Sequence, residues 1–119
     1  MGRIGLFAAV CALVVAAVAD ASAPPVGPLP KGPVQSIRTS RGSLVSVALP
    51  HRTGLVWRLA KPVSPKLLVE VAEADVGTSV VVVVFRAKSP GRATIAYGLT
   101  RGETKKAHES RTFVVRIGG

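Results

Sequence analysis

A chain of 119 residues has room for one domain, since an independent core usually needs on the order of 100 residues. Its 16 Lys and Arg against 6 Asp and Glu give a net charge of +10, a balance that favours acidic partners. One Cys and two His exclude a disulfide framework and leave little material for a nucleophile triad or a His-rich metal site.

The amino terminus runs from Met1-Gly2-Arg3 through an apolar stretch, Ile4 to Ala19, into the small residues Ala19-Asp20-Ala21-Ser22-Ala23. A positive start, an apolar middle and an Ala-x-Ala exit form the pattern of a secretory signal. The run is too short for a spanning helix, which needs about 20 apolar residues. Residues 1–21 are therefore expected to be a cleaved signal, sending the protein to a secreted or periplasmic location with no stable membrane insertion afterwards. Cleavage there removes Cys11 along with Arg3 and Asp20, leaving 15 basic and 5 acidic side chains and the charge still at +10. The exported part would be stable on packing alone. Asn is absent, so N-linked glycosylation is excluded.

Residues 22–33 are rich in Pro, Gly and small side chains. Such a composition favours extended backbone and reads as a tether to a domain over residues 34–119. Short apolar or alternating runs then recur about every ten residues between Gly, Pro and Ser, which is the pattern of an all-β sandwich. The expected strands are Val34 to Thr39, Leu44 to Leu49, Leu55 to Ala60, Lys66 to Ala72, Thr78 to Lys88, Arg92 to Leu99 and Thr112 to Ile117. About seven strands suit an immunoglobulin-like β-sandwich. In Leu44 to Leu49 and Thr112 to Ile117 the period is near two, so one face of each is buried and one wet. Val80 to Val84 is apolar on both faces. That run implies a central strand whose second face is covered by a loop or the tether, or else a self-association surface; the chain is otherwise expected to be a monomer.

Leu44 to Trp57 reads LVSVALPHRTGLVW, and it resembles the second strand, first loop and third strand of the chagasin-like inhibitors of papain-type cysteine peptidases. The order and spacing of Leu49-Pro50, Thr53-Gly54, Leu55 and Trp57 carry the resemblance. It continues through Gly77-Thr78, Phe85, Ala87, Gly91, Ile95, Tyr97 and Phe113, and covers about Ile37 to Ile117. In that family three loops at one end of the sandwich form a wedge that fills the peptidase cleft without reacting. The resemblance implies loops at His51, Arg52, Thr53, Gly54 and Leu55, at Val76, Gly77 and Thr78, and at Leu99, Thr100, Arg101 and Gly102. It also implies a papain-like cysteine peptidase as partner.

Within this pattern Gly54 tolerates positive φ and permits close approach of backbone, or serves as an ordinary turn residue. Trp57 and Tyr97 are expected in the core. Arg52 and Arg101, at neighbouring loop tips, suit carboxylates or phosphates. No catalytic residue, metal ligand or cofactor is expected, and no Gly-rich phosphate loop opens a helix. The strands carry no stacking aromatics for nucleic acid. The alternative to inhibition is a sandwich that binds an anionic envelope component or an acidic protein through its charge, with an affinity that salt weakens.

Overall fold

The computed structural model describes residues 23–102 and 105–119; the expected signal, residues 1–21, lies outside them. Seven strands follow one another with no helix among the described residues: β1 (Val34–Ser40), β2 (Leu44–Pro50), β3 (Val56–Leu59), β4 (Leu68–Val76), β5 (Val80–Ala87), β6 (Gly91–Thr100) and β7 (Glu109–Gly118). They form a four-stranded sheet in the order β1-β7-β6-β3 and a three-stranded sheet in the order β2-β5-β4. All pairs are antiparallel except β1 with β7. This is the two-sheet sandwich that the spacing of the apolar runs implies.

Alternation sets the core. Val45, Val47 and Leu49 on β2, Val83, Phe85 and Ala87 on β5, Ala93, Ile95 and Tyr97 on β6, and Phe113, Val115 and Ile117 on β7 fill the space between the sheets. Each is every second residue of its strand, so one face of each strand is buried. Burying one such large apolar side chain contributes about 1.5–3 kcal/mol. Tyr97 meets Phe113 edge to face, with ring centroids 6.5 Å apart, an arrangement that favours such pairs.

Two strands differ from expectation by three residues or more at one end. β4 runs on to Val76 rather than stopping at Ala72, because a bulge between Glu70 and Ala72 turns Glu73 and Asp75 toward the inner face, opposite Val83 and Val81. A polar stretch that reads as a turn is thus an edge strand with acids facing inward. β7 begins at Glu109 instead of Thr112, since its first residues pair with Leu99 and Gly98 of the long strand β6.

The Pro-rich stretch does more than tether. Pro25 and Leu29 lie over Gly98, where a side chain would meet them at 2.8 Å, so glycine at that position lets the segment approach the sheet. The segment is also fixed by hydrogen bonds: Ser110 Oγ donates to the Pro30 carbonyl at 2.7 Å and the Thr112 amide to the Pro33 carbonyl at 3.0 Å. In return the Val26 amide donates to the Lys105 carbonyl at 3.0 Å. The segment covers the four-stranded sheet, not the valine run. Val80, Val82 and Val84 face outward from the other sheet, half-buried, beside exposed Leu44, Val69 and Val76. The expectation that the tether covers them is corrected.

Candidate functional site: three loops at one end of the sandwich

The first loop, His51 to Leu55, joins β2 to β3 across the two sheets. The Leu55 amide donates to the Arg52 carbonyl at 3.1 Å, closing a turn in which Gly54 has φ +77. A positive φ at the third residue of such a turn is where glycine is favoured, so the turn itself accounts for Gly54. The loop's two arms are clamped: the Trp57 indole N–H donates to the Pro50 carbonyl at 2.8 Å. Trp57 is partly buried and packs on the core, in line with its sequence reading, and Tyr97 is buried.

The second loop is the tip of the β4–β5 hairpin, where Val76 pairs with Val80. It lies against the first, because the His51 amide donates to the Ser79 carbonyl at 2.8 Å. The third follows β6, whose Thr100 pairs with Val56 just beyond the first loop. All three loops therefore emerge at the same end, with the first between the other two. His51, Arg52, Thr53, Gly54, Val76, Gly77, Thr78 and Arg101 are exposed, while Leu55 and Gly102 are intermediate.

Leu99 and Thr100 are fully buried. They belong to β6, which extends one residue past its expected end, so the third loop offers only Arg101 and Gly102 at the surface. The reason is local: Leu99 sits on the core side and Thr100 accepts a hydrogen bond from Arg58 Nε at 3.2 Å. The exposed tips are mostly small, polar or basic, with Val76 as their exposed apolar side chain and without an aromatic among the described residues.

Arg52 is already engaged. Its Nε donates to Glu109 Oε2 at 3.0 Å and its Nη2 to Oε1 at 3.4 Å, while Arg111 stands 3.8 Å from the same carboxylate. The hydrogen bond from Arg52 holds the Glu109 carboxyl below its usual range. The pair fixes the first loop against the start of β7. Nothing in the sequence spacing marks two residues 57 positions apart as partners; the register of β7 with β6 brings them together.

Beneath the first loop an open cleft of about 240 Å³ is lined by Leu49, Leu55, Trp57 and Tyr97, with Glu73 and Asp75 on its β4 side. Burial raises the Glu73 carboxyl, and the neighbouring Asp75 raises it further. The Glu70 carboxyl is raised the same way, by burial and then by Glu73, and its Oε2 is buried without a partner. Tyr97 has a buried, unpartnered hydroxyl, and burial pushes its phenol above the ordinary value, with Glu70 and Glu73 adding to it. These inward acids escaped the sequence reading because the bulge at Val71 changes the parity that places Glu70, Glu73 and Asp75 on one face. Among the described residues no group of His, Cys, Asp and Glu is disposed to hold a metal ion.

No family profile matches the chain, and no curated protein matches it in sequence. Among solved structures, the cysteine protease inhibitor EhICP2 from Entamoeba histolytica superposes with a TM-score of 0.53 at 18% identity, spanning 74% of this chain and 98% of that one. PbICP-C, solved in complex with falcipain-2, superposes with a TM-score of 0.51 at 12% identity, spanning 81% of this chain and 98% of its own. This chain thus shares the fold of these proteins.

Proposed function

We propose that this protein is an exported inhibitor of papain-like cysteine peptidases, acting by reversible steric occlusion of the active-site cleft. The observation that carries the reading is the convergence of the three loops, linked by the His51–Ser79 hydrogen bond and the Val56–Thr100 pairing. Small tips that include Gly54, Gly77 and Gly102 suit a wedge, since glycine lets backbone approach a partner surface closely. No covalent step is involved, and the peptidase cysteine is shielded rather than modified. The signal at residues 1–21 would place the inhibitor outside the cytoplasm, where it would meet secreted peptidases.

The likeness to EhICP2 and PbICP-C supports the kind of partner. With His51, Arg52 and Arg101 at the tips, the contact would be polar and basic, so charge would contribute more to encounter and selectivity than to affinity. A panel of active-site-titrated papain-like peptidases tests the reading. Reversible, competitive inhibition of at least one member is expected, and no inhibition of any member at micromolar protein would refute it.

A further inference from the structure

On the solvent face of the four-stranded sheet, register sets Arg38 directly opposite Arg116, and Arg116 directly opposite Arg92. Their neighbours Val115, Ile117 and Ala93 point into the core, so the three guanidinium side chains leave the sheet on the same side, and all three residues are exposed. Adjacent strands lie about 4.8 Å apart, which makes this row roughly 10 Å long. Arg41 stands at its edge, its amide bonded to the Gly118 carbonyl at 2.9 Å. A shallow hollow of about 290 Å³ runs between Arg38 and Arg116, with Gly118 beside it.

Like charges directly opposite one another on a sheet are destabilising, and here three stand in succession. No carboxylate relieves them: the ion pairs among the described residues join only Glu109 to Arg52 and Arg111. Glu109 lies seven residues along β7 from Arg116, roughly 24 Å away. Glu70, Glu73 and Asp75 belong to β4 in the other sheet and face inward. A fold that keeps such a row unrelieved is suited to a ligand that supplies the missing negative charge.

The geometry points to a binding site for an extended polyanionic glycan, bearing sulfate or phosphate groups, laid across β1, β7 and β6. Three guanidinium forks in line match successive tetrahedral oxyanions on one strand of polymer, each able to accept paired hydrogen bonds. The next row on this face offers Ser36, Thr94 and Val114, and the one beyond it Val34, Thr112 and Ala96. It has no aromatic ring for stacking bases, and its exposed apolar side chain, Val34, stands at the other end of β1 from Arg38. The row lies at the end of the sandwich opposite the three loops, so a glycan and a peptidase could be held together. This inference stands whether or not the loops inhibit.

The test compares heparin binding by the wild-type protein with that of two triple variants of equal charge. R38Q/R92Q/R116Q removes the row, and K31Q/K105Q/K106Q removes three exposed lysines elsewhere. The row variant is expected to lose at least tenfold in affinity and the control no more than about threefold, with the row variant's salt slope lower by about two to three. The row variant should also melt higher than wild type at low ionic strength, because the repulsion is gone. R38K/R92K/R116K keeps the charge and loses the forks, and intermediate affinity is expected of it. Equal losses in the two glutamine triples would overturn the proposal in favour of diffuse charge. Row-dependent binding of single-stranded DNA or of phosphatidylglycerol vesicles as tight as that of heparin would overturn the glycan assignment.

Discussion

The Trp57 indole N–H donates to the carbonyl of Pro50 at 2.8 Å, so one side chain from the start of β3 holds the last residue of β2 and fixes the width of the first loop. Trp57→Phe keeps an aromatic ring against the core and removes this bond. The cost to stability is expected to be about 1 kcal/mol, while inhibition weakens by a larger factor because the loop is no longer held for binding. Thermal unfolding and inhibition constants measured on the same preparation check this, and equal proportional losses would show that the clamp has no role in binding.

Glu109→Gln frees Arg52 from its ion pair. Exposed pairs contribute little to stability, so the melting temperature is expected to stay nearly unchanged. Inhibition should change through the altered position of Arg52 and become more sensitive to salt, since the freed guanidinium is screened by ions. The check is a series of inhibition constants between low and physiological ionic strength.

Half-buried Glu70 and Glu73 give the fold a specific response to pH. Their carboxyls titrate above the ordinary value of 4.5, so just above that pH the folded chain holds more protons than the unfolded one. The stability from this source is complete below about 4.5 and is lost as pH rises through the raised native values. Glu109, shifted the other way, opposes this weakly from the surface. Glu70→Met, which removes the charge and the unpartnered oxygen among Leu59, Leu68 and Phe85, should stabilise the protein at pH 7 by about 1 kcal/mol. It should also flatten the pH profile of urea unfolding. Tyr97, the single tyrosine, should show no phenolate absorbance in the native state near pH 10, where an exposed phenol titrates.

Gly98→Val tests the docking of residues 25–33. The added side chain would collide with Leu29, Pro25 and Ala107, and overpacking of this kind costs about 1–3 kcal/mol. The melting temperature should fall and amides at Val26 and Thr112 should exchange faster. If both are unmoved, the segment contributes nothing to the fold.

Much of the architecture was legible in the sequence, because a strand with one buried face has a period of two and the turns between strands are rich in Gly and Pro. Val45, Val47 and Leu49 or Phe113, Val115 and Ile117 announce their burial by that period alone. The end of β4 was not legible, since the bulge at Val71 reverses parity and makes inward acids look like a polar turn. Nor was the docked proline segment, whose contact depends on the absence of a side chain at Gly98, more than 60 residues away. At the loops, spacing located the first turn and the hairpin tip. It could not reveal that Thr100 is drawn into β6 by Arg58 or that Arg52 is held by Glu109, because strand register decides both.

The measurement that bears most directly on the loop wedge is a comparison of inhibition constants against a sensitive papain-like peptidase. One variant carries R52Q, T78A and R101Q at the loop end, and the other carries the three Arg→Gln changes at Arg38, Arg92 and Arg116. The account predicts at least a tenfold loss for the first and less than a twofold change for the second. Equal losses, or a larger loss from the far end, would contradict it.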